Sequence, residues 1–338
     1  MRIGILSAGG DCPGINAAIR GVGKTAIVQY DMEVIGIVNG FSGLVETETI
    51  ELTESLLSGI LTLGGTILGT SRLKPFKASV GDEPLDKPGT IKKNYENLGL
   101  DALVCIGGNG TQETASLLAK EGLNVIGVPK TIDNDIWGTD VTFGFDTAYH
   151  IATEAIDRLH TTANSHKRVM VIEVMGHHAG WIALYSGMSG GGDVILVPEI
   201  NYSLDSVAEC LMERSRVKKP YSIVVVAEGL PKDSKKSAGA YIAKEIRKIT
   251  GLETRETILG YTQRGGSPTA TDRILATQFG AYAAELIQQR KFGTMVAMRN
   301  GAVTSIPLDE VGGKIRLIKP GNKLVEIGRH MGVCFGDE

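Results

Sequence analysis

Short, continuously apolar runs alternate with amphipathic stretches along most of the chain. The runs are rich in Val and Ile, as strands buried on both faces of a parallel sheet are. We predict strands at 3–6, 34–38, 102–106, 125–128, 169–174, 194–197, 222–227, 256–259 and 295–298. Between and after them we predict helices at 14–29, 52–62, 90–98, 111–121, 146–160, 178–187, 204–216, 239–249 and 271–290.

This alternation of strands and helices predicts right-handed βαβ units and therefore a doubly wound α/β fold. The predicted strands are too many for a single sheet, and 338 residues are more than one average domain. We therefore expect two such domains, each a three-layer αβα arrangement. Because no Pro- or Ser-rich linker marks a boundary, we expect the chain to cross between the domains more than once. Ligands of such folds bind at the carboxyl ends of the strands.

Composition and charge narrow the class of protein. Apolar residues make up 42% and charged residues 22% of the chain, which is ordinary for a globular protein. The net charge is -3 without a basic block, so we expect no nucleic-acid or membrane partner. The amino terminus lacks the features of a signal peptide. Four cysteines stand far apart without a CxxC pair, which favours buried free thiols in a cytoplasmic protein.

Glycine is over-represented, with 44 residues, and two of its clusters follow predicted strands and precede predicted helices. The first cluster is Gly9-Gly10, and the second is the run from Gly107 to Thr111 (GGNGT). Glycines there let backbone N–H groups and a helix N-terminus approach a phosphate. Neither loop has the Rossmann or the Walker spacing, and each alone is compatible with a plain tight turn. If the two loops follow neighbouring strands, they can bind a polyphosphate from two sides.

The segment 129–135 (PKTIDND) follows the strand predicted at 125–128 and carries two carboxylates, two residues apart. Phosphoryl transfer needs a group that orients or deprotonates the attacking hydroxyl, and oxygen ligands for Mg²⁺. Asp133 and Asp135 can divide these tasks. The alternative interpretation is a solvated acidic turn.

Three arginines in the second half of the chain are candidates for binding a phosphate. Arg168 precedes a predicted strand, whereas Arg255 and Arg264 flank the short strand predicted at 256–259. A guanidinium group binds phosphate bidentately, although plain surface charge is the alternative. The pair His177-His178 is not accompanied by ligands at zinc spacing, which disfavours a zinc site.

Taken in order, the motifs GGDxPGxN, GGxGT, TIDND, GTD with GFDTA, SHxR, EVMG and QRGGSP resemble those of the 6-phosphofructokinases, in register to about residue 300. The resemblance implies phosphorylation of the 1-hydroxyl of fructose 6-phosphate, with ATP or pyrophosphate as donor and Mg²⁺ as cofactor. It also implies a homodimer or homotetramer, because family members often borrow sugar-site arginines from a neighbouring subunit.

The resemblance also implies roles for individual residues. The catalytic residues are Asp133 as base, Thr131 and Arg72. The donor-binding residues are Gly10, Arg72, Gly108, Asn109, Gly110, Thr111 and Lys130. The sugar-binding residues are Thr131, Ile132, Asp133, Arg168, Met175, Gly176, His177, Glu228, Arg255, Tyr261, Thr262, Gln263 and Arg264. Asn109 and Asp135 are the implied magnesium ligands.

The same resemblance implies a domain division. Residues 1–143 with about 262–302 form the expected donor domain, and 144–261 with about 303–338 the expected sugar-phosphate domain. The active site is expected in the cleft between these domains.

Two positions in the donor site give conflicting signals. Lys130 is usual in pyrophosphate-dependent relatives, whereas Gly110 leaves room for the α-phosphate of ATP where those relatives carry aspartate. Asn109 and Tyr261 also depart from the common ATP-dependent pattern, which has an acid and a histidine there. We give Gly110 more weight, because exclusion by size and charge decides whether ATP fits, and we predict ATP as the donor. Pyrophosphate is the alternative.

Two other classes of protein fit less well. A nicotinamide-dependent oxidoreductase would show GxGxxG after the first strand, and this chain does not. A non-catalytic sugar-phosphate sensor would not need Thr131, Asp133 and Arg72 together.

Overall fold

The computed structural model describes residues 1–77 and 87–337, which divide into two compact units. The first unit contains 1–131, 136–144 and 264–315, and the second contains 132–135, 145–263 and 316–338. Residues 78–86 and 338 fall within the predicted domains but lie outside the described residues.

The first unit contains a seven-stranded sheet in the order β11-β10-β5-β4-β1-β2-β3. Its strands are β1 (Arg2–Ala8), β2 (Glu33–Ile37), β3 (Thr49–Glu51), β4 (Ala102–Gly107), β5 (Val125–Pro129), β10 (Thr294–Arg299) and β11 (Ala302–Pro307). The five inner strands run parallel, and the two edge strands pair antiparallel. β4 and β5 are wholly buried, as their continuous apolar runs predict.

Helices of the first unit cover this sheet with their apolar sides. They are α1 (Ile15–Tyr30), α2 (Phe41–Glu46), α3 (Glu54–Leu57), α4 (Lys87–Asn97), α5 (Asn109–Lys120), α10 (Ala270–Gln288) and α11 (Leu308–Val311). One core cluster joins strand residues such as Leu103 and Cys105 to helix residues such as Leu118 and Ile91, all buried.

The second unit contains a four-stranded, all-parallel sheet in the order β7-β8-β6-β9. Its strands are β6 (Val169–Val174), β7 (Val194–Leu196), β8 (Ser222–Ala227) and β9 (Thr254–Ile258). Its helices are α6 (Phe145–His166), α7 (Trp181–Ser189), α8 (Leu204–Arg216), α9 (Ala238–Thr250) and α12 (Lys323–His330). Ser203 and Ser237 cap the N-termini of α8 and α9, as serine does at helix starts. A 3₁₀ helix spans Gly260–Arg264.

The elements depart from the sequence prediction mainly at short and edge segments. The helix expected at 52–62 is a single turn, α3, because its chain leaves the helical conformation at Ser58 and Gly59 has a φ of 82°. β3, β11, α2, α11 and α12 were not predicted. We predicted a division near 302–303, whereas the first unit extends to 315, because β11 pairs with β10 in its sheet.

No helix among residues 1–77 and 87–337 is both long and apolar enough to cross a bilayer.

Candidate functional site

Three of the predicted chemical segments meet at one edge of the first sheet. Ala8 at the end of β1 lies in register with Gly107 at the end of β4, and Gly107 lies in register with Pro129 at the end of β5. Because the three strands are parallel neighbours, the loops that follow them start side by side. The glycine loops and the Lys130 segment therefore form a single group, which we call the donor loops (9–14, 107–111 and 129–131).

The Gly9-Gly10 loop is fixed by contacts on both of its backbone faces. Gly9 has a φ of 86°, and its N–H donates to the carbonyl of Ser71 at 2.9 Å. The Thr70 hydroxyl donates to the Gly9 carbonyl at 2.8 Å. The buried Lys130 ammonium donates to the Gly10 carbonyl. We predicted Lys130 as a donor-binding residue. In the structure it stabilises the Gly9-Gly10 loop through this bond.

Arg264 lies directly against the first glycine loop. A Cβ at position 10 would lie 2.8 Å from Nη1 of Arg264, so a larger residue there would displace this guanidinium. We predicted Arg264 as a sugar-binding residue. In the structure it belongs to the first unit and adds a positive charge beside the donor loops.

The second glycine loop leads directly into the N-terminus of α5. Gly108 is the extended residue before the helix, and Asn109, Gly110 and Thr111 form its first turn. The buried Thr111 hydroxyl donates to the carbonyl of Ala8 at 3.3 Å, which joins this turn to β1. The N–H groups of a first helical turn have no partner within the helix, so they suit an anion.

Two exposed cations follow the Thr70-Ser71 anchor near this turn. Arg72 is exposed, as is Lys74. A Cβ at position 110 would lie 3.7 Å from Cε and 4.0 Å from Nζ of Lys74. Lys74 was not predicted as a site residue. The sequence feature that could have indicated Lys74 is its place two residues after Arg72, which makes it a second cation in the same segment.

Cys12 lies in the first donor loop, but its thiol is unreactive. It is buried, its thiol donates to the carbonyl of Phe143 at 3.7 Å, and burial raises its pKa to about 12. A thiol with so high a pKa is almost entirely protonated at neutral pH and is a poor nucleophile.

The turn formed by residues 132–135 belongs to the second unit and is organised by Arg316. Asn134 has a φ of 52°, and its carbonyl accepts a 2.8 Å bond from Nη1 of Arg316. The Arg316 backbone N–H donates to the Asp135 carbonyl at 2.8 Å. The Arg316 guanidinium also lies 4.3 Å from the centre of the Trp181 ring. Arg316 therefore fixes the backbone that carries Asp133.

Sequence reasoning missed Arg316 because it lies more than 180 positions from the turn, outside every motif. No local pattern indicates such a contact.

Several predicted sugar residues meet at the carboxyl ends of β6 and β8. The N–H of Met175 donates to Oε1 of the fully buried Gln263 at 3.4 Å, and the N–H of Gly176 donates to Oε1 of Glu228 at 3.4 Å. Gly176 has a φ of 121°, which favours glycine. We call Met175, Gly176, Glu228 and Gln263 the carboxyl-end cluster.

The remaining predicted sugar residues differ in exposure. His177 and Thr262 are exposed, and Tyr261 is 73% exposed. Ile132 is buried, whereas Thr131 and Asp133 are half-buried. Exposed side chains next to the carboxyl-end cluster are accessible to a ligand.

Arg168 and Arg255 lie at the opposite end of the same sheet. Arg168 immediately precedes β6, and Met175 immediately follows it, so the strand separates them by roughly 20 Å. The Glu253 carboxylate pairs with both arginines, at 2.9 and 2.8 Å. Its bond with Arg168 lowers the pKa of Glu253. The fold of one chain therefore does not bring these two arginines to the carboxyl-end cluster.

Oxygen ligands of the kind that Mg²⁺ prefers lie in the donor loops and in the 132–135 turn. Among residues 1–77 and 87–337, no three His, Cys, Asp or Glu side chains lie together as a metal cage. Mg²⁺ bound together with phosphates needs only one or two protein carboxylates and keeps its waters. Asp133 and Asp135 on one turn suit this type of site, as does the amide of Asn109 among the donor loops. A magnesium ion that arrives with a phosphate donor fits these residues.

The fold and these groups define an α/β protein built to handle phosphorylated ligands, with backbone anion loops in one unit and charged clusters in the other. A model of the phosphofructokinase family matches residues 2–287. The ATP-dependent 6-phosphofructokinase 3 of Bacteroides thetaiotaomicron is 61% identical over 99% of this chain and 100% of its own length. The chain belongs to the phosphofructokinase family.

Two further relatives bear on the donor and on the fold. The pyrophosphate–fructose 6-phosphate 1-phosphotransferase of Streptomyces coelicolor is 45% identical over 99% of this chain and 100% of its own length. The solved phosphofructokinase of Saccharomyces cerevisiae matches with a TM-score of 0.83 and 30% identity, over 92% of this chain and 45% of the yeast chain. The two-domain α/β fold predicted from the sequence is confirmed.

Proposed function

We propose that this protein transfers the terminal phosphoryl group of ATP to the 1-hydroxyl of fructose 6-phosphate. The observation that carries the proposal is the meeting of the three donor loops at neighbouring strand ends, in a chain 61% identical to an ATP-dependent 6-phosphofructokinase. We place the protein in the cytoplasm, because four widely spaced cysteines without a CxxC pair suit a reducing compartment.

In this proposal the donor loops bind the phosphate chain of ATP. The backbone of Gly10 and the start of α5, from Gly108 to Gly110, provide N–H donors, whereas the Thr111 N–H donates to the Gly108 carbonyl at 2.9 Å. Arg72 neutralises the phosphoryl group in transit, and Lys130 stabilises the loop through the Gly10 carbonyl. Asp135 and Asn109 are the residues that would hold Mg²⁺, which would supply positive charge to the phosphate oxygens. Transfer of this kind depends mainly on positioning and charge neutralisation.

The acceptor hydroxyl is oriented and deprotonated by Asp133, with Thr131 beside it in the chain. Arg316 contributes indirectly, because it fixes the turn that carries Asp133. The sugar binds at the carboxyl-end cluster, with His177, Tyr261 and Thr262 as its exposed neighbours. Arg264, which lies beside Gly10, balances the charge of the donor phosphates.

Arg168 and Arg255 serve the sugar phosphate of a second copy of the chain. Two arginines that share Glu253 form a ready anion site. Their own chain's carboxyl-end cluster is roughly 20 Å away, so a homodimer or homotetramer accounts for their role in sugar binding. Analytical ultracentrifugation would contradict this if it found only monomers at assay concentrations.

ATP is favoured over pyrophosphate by the surroundings of position 110. Gly110 places no side chain in the first turn of α5, which leaves space for the rest of a nucleotide. Lys130 donates to the Gly10 carbonyl and is compatible with either donor. Pyrophosphate is the second candidate, because Lys130 and the Streptomyces relative both point to it.

Steady-state assays of the purified protein with Mg²⁺, fructose 6-phosphate and either ATP or pyrophosphate test the donor. We expect turnover with ATP and at most a small fraction of it with pyrophosphate. Turnover with pyrophosphate and none with ATP would overturn the choice of donor. Tagatose 6-phosphate, run in parallel, tests the choice of acceptor.

The variant Asp133→Asn separates an enzyme from a sensor of sugar phosphates. Removing a general base lowers kcat by about 10²- to 10⁴-fold, whereas binding of fructose 6-phosphate, followed by calorimetry, should change little. Undiminished kcat in this variant would exclude Asp133 as the base.

A further inference from the structure

The tertiary structure brings together two of the four cysteines. Cys12 and Cys105 are buried singly, whereas Cys210 and Cys334 are half-exposed and adjacent, with their Sγ atoms 2.7 Å apart. This separation is shorter than the contact of two non-bonded sulfurs but longer than the bond of a disulfide, about 2.05 Å, so the two thiols are in direct contact and unbonded. The expectation that all four thiols are buried is therefore wrong for this pair.

Both sulfur atoms are carried by well-held backbone. Cys210 lies on the second turn of α8, and Cys334 extends the second sheet beside β7. The Cys334 N–H donates to the carbonyl of Asp193 at 3.0 Å, and its carbonyl accepts from the N–H of Ile195 at 2.9 Å. The N–H of Ser203, which caps α8, donates to the Gly336 carbonyl at 2.7 Å. The helix and the C-terminal segment thus hold the two thiols against each other.

We propose that Cys210 and Cys334 are a redox modification site, which low-molecular-weight disulfides convert reversibly to an intramolecular disulfide. One protein thiolate attacks a sulfur of the small disulfide, which forms a mixed disulfide and releases one small thiol. The second protein thiolate then attacks the protein sulfur of that mixed disulfide and releases the other small thiol. Two protein thiols are oxidised, one small disulfide is reduced to two thiols, and the two protons pass to the leaving thiolates.

A shared metal ion explains the pair less well. Two thiolates on one tetrahedral zinc ion lie roughly 3.8 Å apart, given Zn–S distances near 2.3 Å. The observed separation is about 1 Å less than that. The cross-link would tie α8 to the C-terminal segment across 124 positions of the chain.

Cys12 and Cys105 provide controls within the same molecule. Both are buried, and burial raises the pKa of each thiol. They should therefore stay reduced under conditions that oxidise the half-exposed pair.

The experiment incubates the intact, native protein with oxidised glutathione, then denatures it, blocks the remaining thiols by alkylation, and maps the peptides by mass spectrometry. We expect loss of two of the four alkylatable thiols, a cross-linked peptide containing Cys210 and Cys334, and full recovery with dithiothreitol. Cys210→Ser and Cys334→Ser should each form only a mixed disulfide at the remaining cysteine. If either serine variant does not fold, the alanine variant replaces it.

Three results would overturn the proposal. The first is stable glutathione adducts on both cysteines without the cross-link. The second is a disulfide between two chains, visible as a dimer on a non-reducing gel. The third is four alkylatable thiols after prolonged exposure.

Discussion

The substitution Gly110→Asp tests whether space and charge in the first turn of α5 determine the phosphoryl donor. The structure accommodates the new side chain, since the nearest atoms to a Cβ at position 110 belong to the flexible Lys74, at 3.7 and 4.0 Å. A carboxylate in a first helical turn is stabilised by the helix dipole by about 0.3–1 kcal/mol. An exposed pair with Lys74 would add about 0–1 kcal/mol. The variant should therefore fold normally.

The same carboxylate should weaken ATP binding. Two unit negative charges about 5 Å apart repel each other by about 3 kcal/mol at an effective dielectric constant near 20. Pairing with Lys74 offsets part of this repulsion, which leaves a net penalty of about 1–3 kcal/mol. That penalty corresponds to a roughly five- to 150-fold rise in KM for ATP.

The assay measures kcat and KM for ATP in the native protein, Gly110→Asp and Gly110→Asn. The asparagine side chain has nearly the same size as aspartate but no charge, so it separates crowding from repulsion. We expect a large rise in KM for the aspartate variant, a smaller one for the asparagine variant, and similar thermal midpoints in all three. An unchanged KM for ATP in Gly110→Asp would refute the assignment of this position to donor selection.

Three further predictions follow from individual contacts. Replacing Arg316 by Met removes the guanidinium bond to the Asn134 carbonyl and keeps the backbone bond to Asp135, so kcat should fall about ten- to hundredfold while KM for ATP holds; an unchanged kcat argues against this role. Gly14→Ala, at a φ of 103° and with its Cβ 2.9 Å from Phe143, should cost at least about 1–3 kcal/mol in urea unfolding, and an unaltered midpoint would contradict the strain. Burial raises the pKa of Glu199, so the native protein should lose stability relative to Glu199→Gln as pH rises from about 4 towards 7, levelling off above the folded pKa. A stability difference independent of pH would show that Glu199 does not titrate in this way.

The sequence alone determined the α/β architecture and the nature of the donor loops. The strands predicted at 3–6, 102–106 and 125–128 are the cores of β1, β4 and β5. A strand buried on both faces must be continuously apolar, and a loop that approaches a phosphate needs glycine, so both features are visible locally. Short edge strands such as β3 and β11 escaped prediction, because half-exposed pairing leaves no such run.

Only the tertiary structure decided which distant side chains meet. Arg168 and Met175 flank the same strand and so lie at opposite ends of the sheet, although the motifs suggested one common site. Arg264 lies beside Gly10. Cys210 contacts Cys334, which is 124 positions away in the sequence. The order and direction of the strands determine these neighbours. That order results from packing the whole chain, and no short stretch of sequence encodes it.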